Sequence, residues 1–262
     1  MKKVRVLAFF LSFLFIWWNV ISWITSITPI FKRKKEYQFK KFLELRPVPD
    51  CIIVFNSGGW GYTSLYKESD FRTVILGIQK QLEEWGYKST VLPYHRVKQN
   101  VFSRLNGIRE IVNYFNSRSK HLANEVDEFT REHPEKKVIL AGLSMGAFFV
   151  DATMRRIGEN PSVFAIKVGV PFYSNHYHSE RTIDINNGRD ALANCDTKLL
   201  MGAIGGGFLR WMKAKIQGRH LPFNRAVEVP GHNHSYTWES PEVRGAVTDF
   251  LKKFFNPKAI KS

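Results

Sequence analysis

The hydrophobic positions of this chain repeat with two periods, and the two alternate along most of its length. Cys51-Ile-Ile-Val-Phe55 is a short continuous apolar run, rich in β-branched and aromatic residues, of the length of a strand buried on both faces. Phe71, Val74, Ile75, Ile78, Leu82 and Trp85 then recur at helical spacing up to Gly86. That predicts an amphipathic helix with a glycine stop. A strand over 89–93 follows, then helical spacing over 108–130 through Ile111, Val112, Phe115, Leu122, Val126 and Phe129. Beyond it the pattern gives a strand at 138–141, a helix over 147–158, and strands at 163–170 and 182–186. A helix over 197–215 starts at Asp196, a good N-cap, and is weakened by Gly205-Gly-Gly207. A last strand at 226–229 and a helix over 241–255, with proline in its first turn, close the chain. Strand and helix in alternation predict an α/β fold, a mostly parallel sheet of about six strands with helices on both faces.

The N-terminal pattern is of another kind. Residues 6–31 carry no charge and are dominated by Leu, Phe, Ile and Trp. As a helix they would span about 39 Å, against about 30 Å of bilayer hydrocarbon. Lys2, Lys3 and Arg5 would suit a cleavable signal peptide, but the run is too long and has no A-x-A-like site. The expected organisation is a single transmembrane anchor at 1–31, a basic juxtamembrane linker at 32–49, a catalytic domain at 50–256 and a basic tail at 257–262. Basic residues flank both ends of the anchor, so the side on which the domain lies stays open.

Composition adds partners to this picture. The 262 residues, 44% of them hydrophobic, suffice for one well-buried domain with an appendage. The formal net charge of +16 calls for an anionic surface. Lys32, Arg33, Lys34, Lys35, Lys40 and Lys41 follow the apolar segment directly, which favours membrane lipid over nucleic acid. No nucleic-acid-binding signature supports the latter. Cys51 and Cys195 form neither a disulfide framework nor a metal-ligand spacing.

The chemistry centres on Gly142-Leu143-Ser144-Met145-Gly146, between an apolar strand and a helical run. In G-x-S-x-G at a strand-to-helix turn, the serine sits at the tip and the next backbone N–H is free to bind a developing oxyanion. Ser144 is the candidate nucleophile. Asn56-Ser-Gly-Gly-Trp-Gly61, after the first strand, can bring further N–H groups to the same place. No G-x-G-x-x-G or Walker-type loop is present, so a nucleotide cofactor is not indicated.

With Asp190 in NNGRDAL after the strand at 182–186, and His234 after the last strand, the chain resembles the α/β-hydrolase superfamily of serine esterases and lipases. The resemblance covers about residues 50–255 and includes the order nucleophile, acid, histidine. It implies a triad of Ser144, Asp190 and His234, with the backbone of Met145 and Gly58 forming the oxyanion hole and no cofactor or metal. His234-Ser-Tyr-Thr-Trp-Glu-Ser-Pro241 is similar to the superfamily's tail, which selects His234 over His232. Asp184 and Asp196 are rival acids. Asn56-Ser57 replaces the usual His-Gly, and the first two strands of the usual eight are missing.

The activity so implied is cleavage of a small-molecule carboxylic ester or thioester, or of a lipid, through an acyl-enzyme. Aromatic residues Trp60, Phe148, Phe172 and Tyr173 are candidates for an acyl pocket. An acyltransferase with the same triad and an inactive binding protein remain alternatives. A metal site built from His176-x-His178 and His232-x-His234 would leave the serine turn without a role.

Overall fold

The computed structural model describes residues 47–59, 61–96, 110, 113–172, 174, 176–187, 190, 209–210, 212–214, 216–219 and 236–255. All belong to the second of two compact units, Phe39–Ser262. Among them no helix is long and apolar enough to cross a membrane. The expected anchor at 1–31, most of the linker at 32–49, the strand at 226–229 and the tail at 257–262 lie outside the described residues.

Among the described residues five strands form one parallel sheet: β1 (Cys51–Asn56), β2 (Ser89–Pro93), β3 (Lys137–Leu143), β4 (Val163–Val168) and β5 (Thr182–Ile185), in the order β2-β1-β3-β4-β5. Cys51 pairs with Ser89 on one side and Lys137 on the other, and Val138 pairs with Val163. The chain leaves β1 to build β2 on one flank and returns to build β3 on the other. This reversal opens a crevice beyond the carboxyl ends of β1 and β3, where ligands bind in such sheets.

The central strands β1 and β3 are apolar on both faces because helices cover both. Ile53, Phe55, Ile139 and Ile166 face α1 (Ser69–Glu84) and α4 (Pro241–Phe254), which contribute Phe71, Ile75, Ile78, Val247 and Leu251. Ile52, Val54, Val138 and Leu140 face α2 (Asn116–Glu132) and α3 (Met145–Ile157), which contribute Val126, Phe129, Phe149 and Met154. The period of two along β1 and β3 thus sorts side chains between two cores.

Among the described residues the expected element types hold, with ends shifted by one or two residues and one larger change; most of the helix expected over 197–215 lies outside the described residues. The helix expected over 108–130 is interrupted by a turn at 113–115, where Tyr114 and Phe115 adopt φ of 52° and 53°, and runs unbroken from Asn116. Phe115 keeps helical spacing, yet it is a left-handed turn residue buried against Phe148 and Phe149.

Candidate active site

The turn between β3 and α3 is set by two glycines. A Cβ on Gly142 would stand 2.5 Å from the carbonyl oxygen of Gly146, and one on Gly146 would stand 2.2 Å from that of Asn56. Any side chain at either position would push the first turn of α3 away from β1 and β3. Between them Ser144 takes φ 52° and ψ −117°, a conformation non-glycine residues rarely hold. Its N–H donates to Val168 O on β4 at 2.8 Å, and its carbonyl accepts from Phe148 N at 3.0 Å. The strained turn is therefore pinned to both neighbouring elements. Among the described residues Ser144 Oγ has no hydrogen-bond partner, and Met145 is the first residue of α3.

The loop after β1 forms the facing wall. Asn56, where the resemblance led one to expect histidine, is fully buried, and its side-chain N–H groups donate to Val54 O and to Ala141 O across β1 and β3. Its role is to tie the two strand ends together. Ser57 is 1% exposed, and its hydroxyl has no partner among the described residues. A Cβ at Gly146 would lie 2.7 Å from Ser57 O, so Ser57 adjoins the serine turn. The Gly58 backbone hydrogen-bonds the Glu68 carboxyl; burial nonetheless raises that carboxyl above its ordinary value, outweighing this bond and one from Thr63.

Arg96, which sequence reasoning passed over, clamps the two walls. Its guanidinium donates to Ser57 O at 2.6 Å, Gly59 O at 3.2 Å and Met145 O at 2.9 Å, while its own N–H donates to Gly61 O. It stacks over the rings of Phe115 and Phe149, and a Cβ at Gly61 would meet its Nε at 2.3 Å. Burial, with repulsion from Arg118 second, pulls it from 12.5 to about 9, so it remains a cation at neutral pH.

Asp190 is 1% exposed, and its Oδ2 accepts a 2.6 Å hydrogen bond from the Tyr236 hydroxyl. The same hydroxyl accepts from Asn187 N at 3.0 Å, closing a small network around the loop after β5. Burial, aided by the carboxylate it serves, raises the Tyr236 phenol far above its usual value. Tyr236 therefore acts as a fixed neutral donor, and sequence reasoning missed it. His234, His232 and Asp196 lie outside the described residues.

The rival acid Asp184 belongs to another cluster. Its Oδ1 lies 2.7 Å from Lys167 Nζ, and its Oδ2 lies 3.1 Å from His176 Nδ1. Of the aromatic pocket candidates, Phe148 is a core residue packed edge-on against Phe115, and Trp60 and Tyr173 lie outside the described residues. A groove of about 510 Å³ between α2 and α3, lined by Tyr114, Lys120, Phe148, Arg155 and Arg156 among others, includes neither Ser144 nor Asp190.

No family model matches the chain, and no curated protein matches it. Among solved structures it is similar to a Trichoderma reesei cutinase in complex with a C11Y4 phosphonate inhibitor, at 13% identity and a TM-score of 0.45, covering 67% of this chain and 84% of that one. It is also similar to a cutinase-like protein from Cryptococcus sp., at 16% identity and a TM-score of 0.40, covering 55% and 78%. Likenesses of this size say nothing of substrate or chemistry.

Proposed function

We propose that the protein is a membrane-anchored serine hydrolase of carboxylic esters or thioesters, lipidic ones included, working through an acyl-enzyme. The observation that carries this reading is the backbone of Ser144: a strained non-glycine residue at the strand-to-helix turn, held by two obligatory glycines at the crevice between β1 and β3. Strain of about 1–3 kcal/mol persists only where the surroundings over-determine it, and such places cluster at active sites.

In the proposed reaction His234 takes the proton of Ser144 Oγ as the oxygen attacks the acyl carbonyl carbon. The tetrahedral oxyanion is held by the Met145 N–H. The second donor is the backbone N–H at Gly58, with the buried Ser57 hydroxyl, which has no partner among the described residues, beside it. The C–O or C–S bond then breaks, His234 returns the proton to the leaving group, and water repeats the sequence on the acyl-enzyme. Asp190 orients His234 and stabilises its imidazolium. The apolar segment at 6–31 would tether the domain to lipid, with the basic linker beside it.

The test is hydrolysis of p-nitrophenyl esters of graded acyl length by the detergent-solubilised full chain. Release of nitrophenol that disappears in Ser144→Ala supports the reading. Absence of turnover at every chain length, in folded protein, would sink it in favour of a binding protein or of transfer to an acceptor other than water.

A further inference from the structure

Away from the serine turn, on the face of the sheet that carries α3, a buried ionic core holds two histidines at the surface. Lys167 on β4 is fully buried, and its Nζ lies 2.7 Å from both Asp151 Oδ1 on α3 and Asp184 Oδ1 on β5. The same Nζ donates to Tyr177 O at 2.9 Å, while Tyr177 N–H donates to Asp151 Oδ1 at 2.7 Å. Both backbone groups of Tyr177 are thus fixed from below. In extended chain the neighbours of such a residue project to one side together. His176 and His178 do so: their rings stack at 5.8 Å with an interplanar angle of 6°.

Both rings aim Nδ1 at one atom. His176 Nδ1 is 3.1 Å and His178 Nδ1 is 4.0 Å from Asp184 Oδ2, and one donor atom from each of the three residues fits within 4.8 Å of the others. Tetrahedral bonds of about 2.0–2.1 Å put neighbouring ligand atoms about 3.3 Å apart, so the spacing needs only side-chain adjustment. Lys167 lies between Asp151 and Asp184, and half-exposed Arg155, 3.4 Å from Asp151 Oδ2, pairs with Asp151 rather than with Asp184. Lys167 occupies Oδ1 of Asp184 and leaves Oδ2 turned to the imidazoles, the kind of outer support that orients a metal ligand.

We propose that His176, His178 and Asp184 bind a divalent ion of the zinc class. Two imidazoles and a carboxylate suit zinc and its tetrahedral relatives, with water in the fourth position. His178 is largely exposed, which gives the ion access. The ion would staple the 176–178 loop to β5, the edge strand of the described sheet. The sequence reading paired these histidines with His232 and His234; the geometry pairs them with Asp184, independently of any chemistry at Ser144.

The test uses the full chain, stripped with a chelator and titrated with Zn²⁺ by calorimetry and with Co²⁺ by visible absorption. Expected are saturable uptake of one ion per chain, a tetrahedral-type cobalt spectrum, and a rise in melting temperature with zinc. All three should be lost in the surface double variant His176→Ala/His178→Ala, with folding checked by circular dichroism, and in Asp184→Asn. Unchanged stoichiometry and spectrum in the double variant, or no saturable uptake by the wild type, would overturn the proposal.

Discussion

Lys167 and Arg96 are both buried cations, and their surroundings could hardly differ more. Lys167 is enclosed between two aspartates, its charge met twice at 2.7 Å. Arg96 touches no carboxylate among the described residues; it serves main-chain carbonyls of Ser57, Gly59 and Met145 and lies against two aromatic rings. A compact ammonium is well matched by paired carboxylates, whereas a planar fork of donors can hold several oxygens of neighbouring loops in fixed relation. The difference separates their effects. Lys167 neutralises charge and fixes the packing of β4, β5 and α3, while Arg96 leaves a positive charge beside the serine turn and sets the spacing of its two walls.

Removing each cation breaks the comparison most strongly. Lys167→Met leaves two aspartates without their shared counter-ion and should cost about 3–5 kcal/mol of stability, read from denaturant unfolding. Activity per folded molecule should change little. Arg96→Met orphans several buried carbonyls, at about 1–3 kcal/mol. Its distinguishing effect is on turnover: kcat should fall about 10–100-fold with KM nearly unchanged, because donor placement matters in the transition state. Equal effects of the two variants on kcat would erase the distinction.

Gly61→Ala is a milder form of the second break. The added methyl meets Arg96 Nε at 2.3 Å and forces a side chain onto φ +73°, so stability should drop by about 1 kcal/mol and kcat by less than in Arg96→Met. The smallest effect concerns Glu68, whose carboxyl interacts electrostatically with Arg96. Its raised value means the folded state holds the proton to higher pH than the unfolded chain. Stability from this group is full below the ordinary value of 4.5 and falls as pH rises through the raised one. Glu68→Gln should flatten that slope in thermal melts across the weakly acidic range.

What could be read from sequence was whatever local pattern dictates. The serine turn was legible because an apolar run, two glycines and a helical run stand in sequence, and β1 and β3 because strands covered on both faces are nearly continuously apolar. The start of α2 was not, because Phe115 has the same spacing whether it is helical or left-handed. Arg96 and Tyr236 escaped for a different reason. An arginine in a loop reads as solvated and a tyrosine near a histidine as packing, until long-range contacts bring Met145 or Asp190 within hydrogen-bond distance. Likewise His176 and His178 were grouped by sequence with other histidines, whereas the strand register puts Asp184 beside Lys167 and so beneath them.

The central claim is that Ser144 is an activated nucleophile served by Asp190 and His234. Labelling by a fluorophosphonate probe, which reacts with activated serines, tests it most directly across wild type, Ser144→Ala, Asp190→Asn and His234→Ala. The account expects labelling of the wild type, none in Ser144→Ala, and rates slowed in the other two, by up to about 10⁴-fold for the aspartate. Folded wild-type protein that stays unlabelled, or Ser144→Ala that still labels, would contradict it.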